Sequence, residues 1–122
     1  MGITYKIDAG AGVVYAVAEG EIGVADIQDF RNRVIADPLY NPTLTELADT
    51  RSANIVISGG ESRILADWYK KNRSFSKVAF VLGSKNRGFI RMYQGWTGDE
   101  TIEIFEDMAS AREWLGLPPE EE

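Results

Sequence analysis

The period of the hydrophobic pattern changes along the chain, and each change predicts an element of secondary structure. Apolar and polar residues alternate over residues 3–8, and this period of two indicates a strand with one buried face. Residues 13–18 are almost wholly apolar and follow the glycine-rich segment 9–12. The two strands therefore predict an antiparallel hairpin that ends before Gly20.

The pattern then changes to helical spacing and back again. Apolar residues at helical spacing predict a helix, and we expect the following residues on its inner face: Val24, Ile27, Phe30, Val34 and Ile35. Pro38 and Pro42 bracket the loop that ends it. Residues 43–48 predict a third strand, in which Glu46 is a poor core residue. We therefore expect one face of the sheet to be partly open at this strand.

A capping box predicts the start of the second helix, after a loop that follows Arg51. Ser58 and Glu61 are spaced so that each side chain satisfies the free backbone N–H of the other residue. Basic residues follow at the C-terminal end, where they complement the helix dipole. The predicted apolar side of this helix comprises Ile64, Leu65, Trp68 and Tyr69.

The apolar run over residues 78–82 has no polar break and stops at Gly83, which predicts a strand buried on both faces. Apolar residues then recur at helical spacing and predict a helix over residues 84–96. They are Phe89, Met92, Tyr93 and Trp96. Residues 101–105 predict a fifth strand, and Asp107 is the expected N-cap of a last helix.

The order of these elements predicts an α/β fold. Strands that alternate with helices are typically parallel neighbours, so we expect a single mixed five-stranded sheet with about four helices, antiparallel at the N-terminal hairpin and otherwise parallel. A chain of 122 residues has the length of one domain. We assign residues 1–117 to this domain and residues 118–122 to an acidic tail.

The composition excludes several kinds of site. The chain contains no Cys and no His, which rules out disulfides, thiolate nucleophiles, Cys/His zinc sites and His-based triads within it. Carboxylate-only metal sites and carboxylate catalysis stay open, but no catalytic residue, cofactor or metal is predicted. No stretch approaches the about 18 apolar residues of a membrane-spanning helix, and the start lacks a signal-peptide core. We expect a cytoplasmic protein.

The basic residues are concentrated in one stretch. The net charge is −6, which argues against nucleic acid as a partner. Residues 68–98 nevertheless hold no acidic residue and the following basic ones: Lys70, Lys71, Arg73, Lys77, Lys85, Arg87 and Arg91. This block is either a solvated face or a surface that contacts an anionic ligand or a membrane.

Candidate site residues lie beyond the carboxyl ends of the strands, where open α/β sheets bind ligands. The predicted anion-binding residues at one helix N-terminus are Ser84, Lys85, Arg87 and Arg91; alternatively, Ser84 simply caps the helix. The residues of a predicted apolar cleft, or alternatively of the core, are Trp68, Phe89, Met92, Tyr93 and Trp96. Asp49 and Arg51 are expected to form an ion pair rather than a catalytic pair.

Three segments carry a resemblance to a known family. Residues 47–51 (Leu-Ala-Asp-Thr-Arg) close the third strand, residues 91–93 (Arg-Met-Tyr) lie in a helix, and residues 105–116 end the domain. With the order of elements, they make the chain similar to the SpoIIAA-like family of small bacterial STAS-type proteins. The resemblance implies a STAS-like fold related in shape to lipid-carrying CRAL-TRIO domains, and a role in binding apolar molecules or membranes.

Ser58 bears on a second function that the resemblance implies. Anti-sigma-factor antagonists of the STAS class carry a phosphorylatable Ser in an Asp-Ser-Ser-Gly-like motif at the corresponding place. Residues 57–60 here read Ile-Ser-Gly-Gly, so only the first Ser is matched; Ile57 replaces the Asp, and Gly59 replaces the usual acceptor serine. Ser58 is thus a candidate regulatory hydroxyl, although the capping box already accounts for it.

We therefore expect a non-enzymatic binding protein for a small apolar or amphipathic anionic ligand or a membrane surface. The expected site is a cleft with a basic rim between helices 61–73 and 84–96. The alternative is a STAS-type protein–protein regulatory module with a specific protein partner. Exposed aromatic residues or an uncovered sheet edge also leave a homodimer open.

Overall fold

The computed structural model describes residues 2–71, 75–83, 86, 88, 91 and 101–119. Five strands and three helices lie in these ranges. In chain order they are β1 (Gly2–Asp8), β2 (Val13–Ile22), α1 (Val24–Ile35), β3 (Thr45–Ile55), α2 (Gly59–Lys71), β4 (Val78–Val81), β5 (Ile102–Phe105) and α3 (Met108–Trp114). The helix predicted over residues 84–96 falls largely outside the described residues.

The five strands form one sheet in the order β1-β2-β3-β4-β5. β1 pairs with β2 antiparallel, and the other three pairs are parallel. The predicted α/β fold with a mixed five-stranded sheet is therefore confirmed. β4 lies between two parallel neighbours, which explains its unbroken apolar sequence.

The helices cover both faces of the sheet. α1 and α2 pack on one face, where Phe30, Val34 and Leu65 join the main core. α3 packs on the other face, where Ala111 meets Leu47 and a smaller core. Because side chains alternate along a strand, neighbouring residues of β3 belong to different layers.

The two longest strands extend beyond their predicted ends. β2 runs on to Ile22 past a register shift between Val17 and Glu19, and its last residues pair with Ser52–Ile55 of β3. The segment after Arg51, predicted as a loop, is therefore strand. Its polar residues give no clear period, and ladder hydrogen bonds to β2 stabilise it instead.

Three predictions about burial are wrong. Glu46 is only 2% exposed, because α1 and α2 cover the sheet face on which it lies. Ile35 and Ile64, placed on inner helix faces, are 43% and 64% exposed. The packing directs other residues inward: Arg31 between Phe30 and Val34 on α1, and Ala66 on α2.

None of the helices in the described ranges is long and apolar enough to cross a membrane.

Candidate functional site

A cavity of about 50 Å³ lies between α1, α2 and the sheet and is partly open to solvent. We call it the α1–α2 cavity. Its lining is mostly apolar and includes Ala16, Ala18, Ala48, Phe30, Leu65 and Phe80. Ala16 and Ala48 are register partners on β2 and β3, and Ala48 is paired in turn with Phe80 on β4. The short alanine side chains leave space beneath the helices, and larger residues such as Phe30, Leu65 and Phe80 surround that space.

Two charged side chains also line this cavity, Arg31 from α1 and Glu46 from β3. The side chains are 4% and 3% exposed, and Nη2 of Arg31 lies 3.6 Å from Oε1 of Glu46. That distance is too long for a hydrogen bond. Within the described part of the chain, Nε and Nη1 of Arg31 and Oε1 of Glu46 have no hydrogen-bond partner. Such groups are costly to bury.

Aromatic rings hold the Arg31 guanidinium in place. Its Cζ atom lies 4.5 Å from the ring centroid of Tyr69 and 5.2 Å from that of Phe75. Both rings are buried, and Tyr40 packs edge-on against Phe75. Cation–π attraction between a desolvated guanidinium and an aromatic face offsets part of the cost of burying the charge.

Burial raises the pKa of the Glu46 carboxyl, and the positive charge of Arg31 opposes that shift only in part. A carboxyl in this environment accepts a proton more readily than an exposed one does. Glu46 can therefore present either an acceptor or an O–H donor to the cavity. This gives the site one fixed donor group, Arg31, and one adjustable group.

Most of the predicted anion-binding and cleft residues lie outside the described residues. They are Ser84, Lys85, Arg87, Phe89, Met92, Tyr93 and Trp96, and their roles stay predictions. Of the remaining two, Arg91 is exposed, and Trp68 is half-buried against the main core.

Asn86, within the predicted anion-binding segment, holds β3 in place. Its side chain is buried, and Nδ2 donates to the backbone oxygens of Thr50 and Ala53 at 3.1 and 2.9 Å. Its Oδ1 accepts from the backbone N–H of Ile55 at 3.1 Å. These bonds satisfy backbone groups at the strand's far end, so the role of Asn86 is structural.

Three described lysines of the basic block are divided between the two faces of the sheet. Lys70 and Lys71 end α2 on the face that carries the α1–α2 cavity. The ammonium of Lys77 instead lies 4.9 Å from the ring centroid of Trp114, a residue of α3 on the opposite face. These three cations therefore do not share one rim.

The two polar pairs predicted from the sequence are present. Ser58 is exposed; its Oγ accepts from the Glu61 N–H at 3.1 Å, and Oε1 of Glu61 accepts from the Ser58 N–H at 3.0 Å. Arg51 donates to both carboxylate oxygens of Asp49 at 2.9 Å. These hydrogen bonds lower the pKa of Asp49, so its carboxylate stays ionised and is a poor general acid.

The prediction missed Arg31 altogether and misjudged Glu46. A signal for Arg31 exists: it lies four residues after Ile27 and three before Val34, so it occupies the apolar stripe of α1. Glu46 stood out as a poor core residue, but it indicated a buried polar site rather than an open face. A positive and a negative residue, each at a position where its element is expected to be apolar, together indicate a buried ion pair.

Most of the chain is similar in structure to a solved protein. The crystal structure of an uncharacterized protein of the DUF3478 family with a SpoIIAA-like fold, from Shewanella loihica PV-4, matches with a TM-score of 0.62 at 19% sequence identity. The match covers 93% of this chain and 94% of that one. No protein-family model matches the chain, and no curated protein matches its sequence. The likeness establishes that the chain has a SpoIIAA-like fold.

Proposed function

Because the chain has a SpoIIAA-like fold with an apolar cavity against its sheet, we propose that it is a cytoplasmic, non-enzymatic binding protein. Its ligand is a small molecule with an apolar body, and the α1–α2 cavity is the binding site. The observation that carries this proposal is the floor of paired alanines beneath α1 and α2. Small-molecule sites are typically concave, mostly apolar and equipped with a few polar groups.

The cavity replaces the cleft that the sequence predicted. One wall of that cleft, residues 84–96, lies largely outside the described residues. The described cations on opposite sheet faces also give little support to a flat membrane-binding surface. The α1–α2 cavity, by contrast, is lined by residues of four strands and two helices. A binding site that is formed before the ligand arrives reduces the entropy lost on binding.

Filling the cavity tests this proposal. In Ala48→Leu, the larger side chain occupies the floor, and Ala109→Leu adds the same atoms at an exposed position of α3. Titration with 1-hexanol and with hexanoate, followed by the methyl NMR signals of the alanines, measures binding. We expect at least one probe to shift Ala16 and Ala48 in the wild type, a tenfold or greater loss in Ala48→Leu, and no change in Ala109→Leu.

Two results would count against a binding role for this cavity. One is a wild type that binds neither probe. The other is an Ala48→Leu variant that folds, as shown by its NMR spectrum, and binds as the wild type does.

A protein–protein regulatory role is the second candidate, favoured by the surroundings of Ser58. Val56 and Ile64, on either side of this exposed residue in sequence, are 50% and 64% exposed. Exposed apolar residues next to a modifiable hydroxyl suit a protein contact that a charge would disrupt. Ser58→Asp keeps the helix cap, because Asp also caps well, while it adds a charge to this surface.

The protein–protein regulatory role predicts that a pull-down with the wild-type protein recovers a specific protein partner. It further predicts that Ser58→Asp loses this partner while its thermal unfolding is unchanged. Ala109→Asp, which adds the same charge to the first turn of α3, should keep the partner. Retention of the partner by Ser58→Asp would rule out a charge-controlled contact at this residue.

A further inference from the structure

The α1–α2 cavity contains a charged pair whose hydrogen-bonding capacity the described protein leaves partly unused. Arg31 and Glu46 are 3% and 2% exposed. Two nitrogens of Arg31 and one oxygen of Glu46 have no hydrogen-bond partner among the described residues. A buried pair normally requires such bonds to offset the loss of hydration. The pair is therefore a polar site within an apolar cavity, and it can form hydrogen bonds with a bound ligand.

We propose that Arg31 and Glu46 form the head-group site of this cavity, and that its ligand is a small monocarboxylic acid. The inference rests on the proposed function and names the ligand class. The carboxylate of the ligand lies beside the Arg31 guanidinium, and its apolar body lies over Ala16 and Ala48.

Charge balance selects a carboxylate with a single charge. Arg31 is the one cation among the described residues that line the cavity, and it neutralises one anion. A phosphate monoester or a dicarboxylate would bring a second negative charge into a low-dielectric space, which is costly. Guanidinium N–H groups also form strong, charge-assisted hydrogen bonds to carboxylate oxygens. The rings of Tyr69 and Phe75 hold these donors in a fixed orientation before the ligand arrives.

Glu46 takes up one proton from solvent as the ligand binds. Two carboxylates beside one guanidinium repel each other, so the buried Glu46 becomes the protonated member and donates its O–H to the ligand carboxylate. Its pKa is already raised by burial. Among the described residues, the other ionisable groups around the pair are Asp49, which is ionised by its pairing with Arg51, and the phenols of Tyr69 and Tyr40.

The head group is tested by comparing hexanoate with 1-hexanol in calorimetric titrations at pH 7. We expect the wild type to bind hexanoate at least tenfold more tightly than 1-hexanol. The double variant Arg31→Met/Glu46→Leu should lose at least tenfold in hexanoate affinity and keep its 1-hexanol affinity within about twofold. The double variant should fold, because buried ion pairs can be replaced by apolar side chains of similar size.

Arg33→Met is the matched control. Arg33 lies on the same helix, but its side chain is 44% exposed and pairs with Asp29. This variant removes a positive charge from α1 at a residue that does not line the cavity, so its hexanoate affinity should equal that of the wild type. Repeating the wild-type titration in two buffers of different ionisation enthalpy should show a net uptake of protons as hexanoate binds.

The outcomes separate the two proposals. Equal affinities of the wild type for hexanoate and 1-hexanol overturn the head-group site but leave the apolar cavity as a binding site. An unchanged hexanoate affinity in the double variant, or an equal loss in Arg33→Met, also overturns the head-group site. Binding without proton uptake overturns the role of Glu46. If the wild type binds neither probe, both proposals fail.

Discussion

Nη2 of Arg31 lies 3.6 Å from Oε1 of Glu46 in the buried layer between α1 and β3, so the two charges attract each other without sharing a hydrogen bond. Glu46→Leu leaves Arg31 as an uncompensated buried cation. We expect the free energy of unfolding to fall by about 3 to 5 kcal/mol. The double variant Arg31→Met/Glu46→Leu should be close to the wild type. Urea denaturation at pH 7 measures both, and equal stability of all three proteins contradicts the expectation.

Glu46 should also make stability fall as the pH rises. Its pKa in the folded protein lies above the ordinary value of 4.5 because the carboxyl is buried. The folded state therefore holds the proton more tightly than the unfolded state does. The resulting stabilisation is fully present below pH 4.5 and is lost as the pH rises through the folded-state pKa.

Glu46→Gln has no titrating group at this position and provides the comparison. The free energy of unfolding of the wild type should fall relative to that of Glu46→Gln as the pH increases from about 4.5. Urea denaturation of both proteins at closely spaced pH values between 4 and 8 measures the difference. A difference that does not change with pH would show that Glu46 titrates alike in both states.

Asp49 should have a pH dependence of the opposite sign. Its hydrogen bonds to Arg51 lower its pKa below the ordinary value of 3.8, so its stabilisation is present above pH 3.8 and is lost as the pH falls through the folded-state pKa. The pair is partly exposed, and Asp49→Asn should cost only about 0.5 kcal/mol at pH 7. Acid denaturation curves of the two proteins should converge at low pH; curves that stay apart contradict the expectation.

Asn86→Ala should destabilise the far end of β3. The variant leaves the carbonyls of Thr50 and Ala53 and the N–H of Ile55 without their side-chain partner. Buried groups left unsatisfied cost about 1 to 3 kcal/mol each, so we expect a total loss of about 3 kcal/mol. Hydrogen exchange of the Ile55 amide should accelerate as well. The exposed Asn54→Ala on the same strand serves as the control, and equal exchange rates in both variants would refute this role.

Gly83 lies at a close approach of two backbone segments. A Cβ added to Gly83 would lie 3.2 Å from the backbone oxygen of Arg51, whereas one added to Gly60 meets nothing within 4 Å. We expect Gly83→Ala to cost about 1 kcal/mol or more through overpacking. Gly60→Ala in α2 should gain about 0.5 kcal/mol through its better helix propensity. Thermal unfolding compares the two variants, and a shift of the same sign in both would contradict this account.

The sequence predicted best where a signal was local. The alternation in β1, the capping box of Ser58 and Glu61 and the Asp107 cap of α3 involve residues a few positions apart. Each is set by backbone geometry that its own segment contains. For the same reason, the ion pair of Asp49 and Arg51 was predicted correctly.

The strand ends and the burial of single residues were predicted less well. The last part of β3 has no apolar period, and its strand conformation depends on pairing with β2 and on the Asn86 side chain. Ile35 and Ile64 have the hydrophobicity of core residues but lie outside the contacts that the sheet makes with their helices. Such outcomes are decided by neighbours that are distant in sequence.

By itself, the sequence determined the element order, the α/β class and most of the caps, because hydrophobic period and backbone capping act within a few residues. Only the tertiary structure decided that Ala16 and Ala48 adjoin, since that contact depends on the register of two parallel strands joined by a helix. It likewise decided that Arg31 and Glu46 meet above them. Arg31 is a charged residue in the apolar stripe of α1, and Glu46 is a charged residue within β3. The packing of α1 on β3 brings both side chains to the cavity.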